Sequence, residues 1–259
     1  MEHLASYWVR CPEFQVVEKD GIQYFTAPKA SHKMLYDVRE CGDALLVDAL
    51  NVGKGLTENL AEYPDALRFI RKYGLLGILT EITTGMDCDQ YDMVVVHANI
   101  FTKSRVEDIA ELSRIFFPFD DVNLYAPLPL EQLPPERWPI FDKMLMSDLQ
   151  YAEQVEWVEH YFKYLYSFMD AEGQALAKFN KANFSAQVNP MSDNLLDFSF
   201  NSLKAMIDLA FIQAKTDSRK PLRRCKFCGK IFYAKDIRSD FCSPKCRNKF
   251  NVYKFRAKQ

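Results

Sequence analysis

Residues 222–249 read LRRCKFCGKIFYAKDIRSDFCSPKCRNK, a stretch that contains four closely spaced cysteines. Cys225 and Cys228 form a C-x-x-C pair, and Cys242 and Cys246 form a second pair one helical turn apart. Two short thiol pairs separated by the length of a hairpin suit a tetrahedral site in which four thiolates hold one Zn²⁺ ion. Free thiols, disulfides and an iron–sulfur cluster are the alternatives. We expect a structural zinc ion, because a catalytic zinc usually keeps one position open for water.

The residues around the cysteines predict a knuckle, a hairpin and a helix. Gly229 follows the first pair, where a residue without Cβ eases a left-handed turn. Ile231–Tyr233 has the β-branched and aromatic character of a short strand, and we expect the chain to return along Phe241. Ser243, which precedes a proline, is typical of a helix N-cap and places Cys246 in the first turn. Together these elements predict a treble-clef zinc finger.

Charge is divided unevenly along the chain, whose net formal charge is −2. Residues 215–259 contain 15 Lys and Arg against 3 Asp and Glu, giving +12, whereas residues 1–214 contain 18 against 32, giving −14. Such asymmetry points to a module that faces nucleic acid. Two simpler explanations remain open: the basic segment docks on the acidic part, or its cations neutralise a Zn(Cys)4 centre. The cations that could neutralise such a centre are Arg223, Arg224, Lys226 and Lys245.

The last predicted helix runs from Pro244 to about Lys258 and has two faces. The apolar stripe, which we expect to face the metal and the hairpin, comprises Cys246, Phe250, Tyr253 and Ala257. The other face is polar and cationic, and it can offer charges to phosphates and side chains to base edges. The candidate nucleic-acid contacts are Arg247, Lys249, Asn251, Lys254, Arg256 and Lys258. A solvated helix face is the simpler alternative, and Val252 and Phe255 are expected to touch the larger domain.

Residues 1–218 predict a helix-rich α+β domain with a small antiparallel sheet, and residues 219–259 form the finger. Lys19-Asp20-Gly21 indicates a hairpin over Gln15–Thr26, and Pro64 to Tyr73 predicts a helix that ends at Gly74. The segment 43–51 fits a strand or a helix equally. Glu153, Glu156 and Glu159 are interpreted as a solvated face of one long helix. The other predicted elements are a strand over 93–101, helices over 104–117, 140–169 and 195–215, and a surface loop over 127–139.

Several classes of protein are disfavoured by the sequence. No stretch approaches the roughly 20 apolar residues needed to span a bilayer, and the absence of a secretory leader predicts a cytoplasmic protein. Residues 51–57 superficially resemble a phosphate loop, but Asp48 occupies the position where that motif requires glycine. We expect no enzyme activity, because the sequence offers no nucleophile–base pair and no His/Glu set with metal-ligand spacing.

With these residues in view, the chain resembles the CGNR zinc-finger proteins, which join an ABATE-type N-terminal domain to a four-cysteine finger. The tetrapeptide that names the family corresponds to residues 246–249, Cys-Arg-Asn-Lys, in which the cysteine and the asparagine are retained. Residues 221–225 and 241–243 also resemble the family, and residues 45–51 and 64–76 are similar to the opening of the ABATE-type domain. Family members are regarded as bacterial transcription regulators, so the resemblance implies DNA binding through the finger.

The leading hypothesis is therefore a zinc-dependent nucleic-acid-binding protein that prefers DNA to RNA and regulates transcription in a bacterium. Its N-terminal domain would bind a small molecule or a protein partner. The alternative is a protein-interaction or oligomerisation module in which the zinc finger is purely structural. Homo-oligomerisation is compatible with either hypothesis.

Overall fold

The computed structural model describes residues 7–78, 84–86, 93–95, 114–120, 150–176, 179, 184–188, 196–200, 202–217, 219–234, 236 and 238–257. These residues form helices and small antiparallel sheets, and the cysteine cluster lies near the C-terminal end, so the predicted α+β class is confirmed. The helices are α1 (Asp43–Glu58), α2 (Ala66–Tyr73), α3 (Val155–Ser167), α4 (Gly173–Leu176), α5 (Leu203–Thr216) and α6 (Pro244–Arg256). Among the described helices, none is both long enough and apolar enough to cross a membrane.

The chain divides into two compact units, each built from several chain segments. One comprises Met1–Glu40, Asp65–Tyr161 and Ala182–Met206, and the other comprises Cys41–Pro64, Phe162–Lys181 and Ile207–Gln259. The second unit combines the predicted finger with segments that come much earlier in sequence. The predicted domain boundary between residues 218 and 219 stays a prediction.

Antiparallel strand pairs make up the sheets of the first unit. β2 (Gln15–Lys19) and β3 (Ile22–Thr26) form the predicted hairpin, and β7 (Ala152–Gln154) adds to the outer side of β3. Three further pairs are two-stranded. They join β1 (Tyr7–Arg10) to β4 (Met34–Asp37), β5 (Thr84–Met86) to β6 (Met93–Val95), and β8 (Phe184–Val188) to β9 (Leu196–Phe200).

Helix α2 begins and ends close to where the sequence predicts. The side chain of Asp65 caps its start by accepting a hydrogen bond from the backbone N–H of Arg68 at 2.7 Å. Gly74 ends it with φ of 99°, in the left-handed region that favours glycine. A Cβ on Gly74 would stand 2.1 Å from the carbonyl oxygen of Val9, so close approach of β1 also requires glycine here. The neighbouring Trp8 is buried and donates its indole N–H to the carbonyl of Leu75 at 2.8 Å.

The predicted helix over 140–169 is wrong at residues 152–154, which form β7. Residues 140–149 lie outside the described part of the chain, and the helix α3 begins only at Val155. Glu153 is therefore not on a solvated helix face but fully buried. Its carboxylate accepts hydrogen bonds from the backbone N–H groups of residues 76, 77 and 78 at 2.7–2.8 Å. The hydroxyl of Tyr151 donates a fourth at 2.6 Å.

Two opposing effects act on the pKa of Glu153. Burial raises the pKa of Glu153, whereas the four donors favour the ionised form. The buried carboxylate satisfies three backbone N–H groups of the loop 76–78, which would otherwise lose their partners. Glu156, by contrast, is exposed on α3, as the sequence predicts.

The predicted helix over 195–215 is also too long at its start. Residues 196–200 are the strand β9, paired with β8, and helix α5 begins at Leu203. Of the other elements, the strand predicted over 93–101 is observed at Met93–Val95, and its remaining residues lie outside the described chain. Most of the helix predicted over 104–117 and all of the loop over 127–139 also lie outside it.

Helix α1 belongs to the second unit. The segment 43–51, for which the sequence allowed a strand or a helix, is part of this helix. The apolar residues Leu45, Leu46, Ala49, Leu50 and Val52 are buried. Gly53 permits close packing, because a Cβ there would stand 2.1 Å from the carbonyl oxygen of Phe162. The residues that superficially resemble a phosphate loop are thus the interior of a helix.

Replacing Glu153 by Gln should destabilise the protein, because one carboxylate oxygen becomes an N–H₂ group that faces backbone donors. Loss of buried hydrogen bonds of this kind costs about 1–3 kcal/mol. Thermal or denaturant unfolding would measure the loss, with Glu156→Gln as the exposed control on the same segment. Equal stability of the two variants would contradict the structural role of Glu153.

Candidate metal centre

The first cysteine pair lies in the turn of a short hairpin. β10 (Leu222–Arg224) precedes the knuckle and pairs antiparallel with β11 (Ile231–Tyr233) after it. The backbone N–H of Cys225 donates to the carbonyl of Lys230, and the N–H of Gly229 donates to the carbonyl of Cys225, both at 2.9 Å. Gly229 has φ of 71°, so the turn depends on the left-handed glycine that the sequence predicts.

The predicted partner of the strand β11 is wrong. Phe241 is not in a strand, and β11 pairs instead with residues that precede the knuckle. The Cys225–Lys230 hydrogen bond extends the ladder of this hairpin into the knuckle, so the local turn itself brings the two strands together. The chain before Cys242 is held differently, by a hydrogen bond from the N–H of Lys226 to the carbonyl of Asp240 at 3.0 Å.

The second cysteine pair belongs to the start of helix α6. Ser243 is the N-cap, and its hydroxyl oxygen accepts a hydrogen bond from the N–H of Cys246 at 3.2 Å. Proline occupies the first helical position, where its missing N–H has no cost. The cap orients the first turn of α6, so that the Sγ atom of Cys246 lies next to that of Cys242. These features are the ones that the sequence predicts.

The structure brings the four predicted ligands together. The Sγ atoms of Cys225, Cys228, Cys242 and Cys246 all lie within 4.8 Å of one another. The Cys228–Cys242 and Cys242–Cys246 sulfur separations are 3.6 and 3.5 Å. A tetrahedral ion with metal–sulfur bonds of about 2.3 Å requires sulfurs about 3.8 Å apart. The cluster can therefore hold one metal ion.

The pKa values of the cysteine thiols differ with their surroundings. Burial raises the pKa of Cys225, but backbone N–H groups of Cys228, Cys242 and Phe227 outweigh it and lower the pKa to about 6. Burial raises the pKa of Cys228 and of Cys242, and neighbouring thiols raise that of Cys242 further. Four thiolates this close together would repel one another. A metal ion at the centre of the cluster would offset that repulsion, because a metal binds the deprotonated thiolates.

Three of the four cations named as neighbours of the cysteines are paired with carboxylates. Lys226 contacts Asp240 at 2.7 Å and holds its pKa low, and Arg223 contacts the same carboxylate at 3.5 Å. Arg224 contacts Asp170 at 2.6 Å and donates to the hydroxyl oxygen of Tyr166 at 3.2 Å. These three cations thus have carboxylate partners of their own. The fourth predicted neighbour, Lys245, lies on α6 and has no ion pair among the described residues.

Helix α1 holds the hairpin through one asparagine. The side-chain amide of Asn51 donates to the carbonyl of Ile231 at 3.0 Å, and its oxygen accepts from the Ile231 N–H at 2.9 Å. Both atoms of the amide are used, and both bonds are buried. Tyr63 makes a second link, because its hydroxyl donates to the carbonyl of Cys228 at 3.0 Å. The sequence analysis identified neither residue, although a polar Asn51 inside an apolar helical segment signals a buried partner.

A buried lysine lies next to this link. Lys54 pairs with Glu58 one turn along α1, and its ammonium is 5.6 Å from the ring centre of Tyr63 and 5.8 Å from that of Tyr166. Hydrogen bonds from Lys54 and then Tyr166 lower the pKa of Glu58. A carboxylate with a lowered pKa stabilises the fold above its unfolded pKa and loses that contribution as the pH falls. Acid should therefore loosen the contacts beneath the knuckle.

Helix α6 presents its cations to solvent. Every residue of α6 is at least partly exposed. Of the predicted nucleic-acid contacts, Arg247, Lys249, Asn251, Lys254 and Arg256 are exposed, and Lys258 lies outside the described residues. Val252 and Phe255, which the sequence predicts to touch the larger domain, are 49% and 66% exposed.

Comparison with protein-family models, curated proteins and solved structures finds no match to this chain. The resemblance to the CGNR proteins therefore stays a prediction. Function must be argued from the cysteine cluster and from the helix that follows it.

Replacing Asn51 by Ala should loosen the hairpin, because Ile231 would lose both side-chain partners for its buried N–H and carbonyl. The expected cost is about 1–3 kcal/mol, together with faster loss of bound metal to a chelator. Unfolding and metal-release rates would measure both effects. Asn248→Ala, on the exposed face of α6, is the matched control. Identical metal release in the two variants would show that α1 does not hold the hairpin.

Proposed function

We propose that the protein is a nucleic-acid-binding protein whose α6 helix is held in place by one structural zinc ion. The observation that carries the proposal is the charge of α6. Residues 244–256 contain five cations, Lys245, Arg247, Lys249, Lys254 and Arg256, and no carboxylate. The described residues give none of the five a carboxylate partner.

Zinc is supported by the type and geometry of the donors. Four cysteine sulfurs at tetrahedral spacing are typical of structural zinc sites, and thiolates also favour soft metals over magnesium or calcium. An iron–sulfur cluster contains several metal atoms and needs its thiolates farther apart than one ion does. With four protein ligands, a single ion has no open position for substrate, which favours a structural role.

The ion pairs argue against the explanation that the cations of α6 serve only to neutralise the charge of a Zn(Cys)4 centre. Arg223 and Lys226 lie beside Cys225 in the hairpin segment, and both pair with Asp240. The cations of α6 have no such partners among the described residues, and they are exposed over the whole length of the helix. Exposed cations without carboxylates are what phosphate groups require. We include in the same proposal that the protein prefers DNA to RNA and regulates transcription in a bacterium.

A second candidate is a protein-interaction module in which the finger only closes the core. The pairing of Asn51 with Ile231 and the bond from Tyr63 to the knuckle favour it, because they make the hairpin part of the packed unit. This candidate leaves the five exposed cations of α6 without a role. The two candidates differ in whether purified protein binds nucleic acid at all.

Metal analysis of freshly purified protein should give one zinc ion per chain. Cys246→Ser should lose the ion and unfold the finger, because the binding energy of a structural site is folding energy. Cys41→Ser changes a cysteine outside the cluster and should keep the full metal content. A content well below one ion per chain, or iron in place of zinc, would contradict the zinc assignment.

The affinity of the zinc-loaded protein for nucleic acid should fall steeply with salt. Each phosphate contact contributes about −0.9 to the slope of log affinity against log salt on duplex DNA. Reversing both Lys254 and Arg256 to Glu should weaken binding and make the slope shallower by about 1.8, for two lost contacts. Fluorescence anisotropy against random-sequence DNA across a salt series would measure both quantities.

The matched control for this double variant reverses Arg68 and Lys163 to Glu. Both residues are exposed, and neither belongs to the finger. The two double variants carry the same net charge, so a general effect of charge would weaken both equally. Equal affinities of the control and the α6 variant would defeat the proposal that α6 binds nucleic acid.

A further inference from the structure

Two aromatic rings on α6 are exposed to solvent. Tyr253 is 61% exposed and Phe255 is 66% exposed, and no other Phe, Tyr or Trp is exposed among the residues whose side chains the structure describes. Exposing large rings has a cost of about 25 cal/mol for each Å² of apolar surface left in water. Most of each ring is thus left in contact with water. A ligand that covers them would recover part of this cost.

The two rings lie on different sides of the helix. They are two residues apart, which is about 200° around an α-helix. Tyr253 lies against the knuckle, where its ring stacks on Phe227 with centroids 5.8 Å apart and planes inclined by 18°. One face of Tyr253 is therefore covered. Since the ring is still 61% exposed, its outer face is open.

Cations surround the stacked pair formed by Phe227 and Tyr253. The ammonium of Lys249 lies 5.9 Å from the centre of the Phe227 ring. Lys249 precedes Tyr253 by four residues and Arg256 follows it by three, and residues at these spacings are neighbours on a helix surface. The open ring thus lies between two exposed cations on a helix without carboxylates.

This combination favours one kind of nucleic acid. In a duplex the faces of the bases are stacked on one another, so a protein ring in a groove finds only their edges. In a single strand the bases are free to stack on an aromatic ring while nearby cations bind the phosphates. A protein partner fits less well, because the cores of protein interfaces are depleted of lysine.

We propose that the outer face of Tyr253, backed by Phe227 and flanked by Lys249 and Arg256, stacks a base of single-stranded nucleic acid. The inference rests on the proposed function and specifies the form of the ligand. A base on Tyr253 would extend the existing stack by one ring. The two flanking cations would contact the phosphates on either side. Phe255, on the other side of α6, is not part of this site.

The test compares single-stranded and duplex DNA of the same sequence by fluorescence anisotropy, with zinc-loaded full-length protein. A strand of about 16 nucleotides covers the usual range of site sizes. Wild-type protein should bind the single strand more tightly than the duplex at equal salt. Tyr253→Leu keeps an apolar side chain but removes the ring, and it should weaken single-strand binding about 5- to 150-fold. Its duplex affinity should be unchanged.

Two further variants make the test specific to the ring and its position. Phe255→Leu removes the other exposed ring and should leave single-strand affinity unchanged. Tyr253→Trp restores a stacking surface and should retain tight binding, which a purely structural role of the tyrosine hydroxyl would not predict. An RNA strand of the same sequence would show whether the 2′-hydroxyl matters, and binding of either strand through Tyr253 supports the proposal.

The outcomes separate this inference from the function on which it rests. If wild-type protein binds duplex and single strand equally and Tyr253→Leu binds both like wild type, nucleic-acid binding stands and base stacking is overturned. If polyglutamate displaces the strand as readily as unlabelled strand does, α6 is a general polyanion site and stacking is again overturned. If wild-type protein binds neither strand nor duplex, the proposed function itself fails.

Discussion

Mutual repulsion among four thiolates is the constraint on which the finger depends. Their sulfurs lie within 4.8 Å of one another, and they can be ionised together only around a cation. Three local features bring the sulfurs this close together or stabilise a thiolate. They are a left-handed glycine at position 229, a serine cap at 243, and backbone N–H groups that lower the pKa of Cys225. Whatever α6 presents to solvent is oriented by the same cluster, because Cys246 is part of its first turn.

These local devices explain why the cysteine cluster could be predicted from the sequence. Knuckle spacing, Gly229 and Ser243 each determine the conformation of a few adjacent residues, so their consequences need no knowledge of the rest of the chain. The same holds for the cap and stop of α2. The errors concern contacts between distant residues: residues 152–154 become a strand only because residues 24–26 lie beside them.

The start of α5 illustrates a different error. Residues 196–200, Leu-Asp-Phe-Ser-Phe, alternate apolar and polar side chains, which is the period of a strand, but Leu196 and Phe200 also fit a helical spacing. The alternation was the better guide. The partners of Asn51 and Tyr63 were beyond prediction for a third reason. They are backbone atoms of the hairpin, and backbone atoms leave no trace in a sequence pattern.

The Asn51–Ile231 pairing joins positions 180 residues apart, and this separation affects how the protein is made. Closing a loop of that length costs on the order of 5 kcal/mol in chain entropy. During synthesis the ribosome completes α1 long before the hairpin exists, so the amide of Asn51 must wait without its partners on Ile231. A metal ion held by the four cysteines would then fix a unit that formed earlier in a looser state, and metal supply would be a late step in the maturation of the chain.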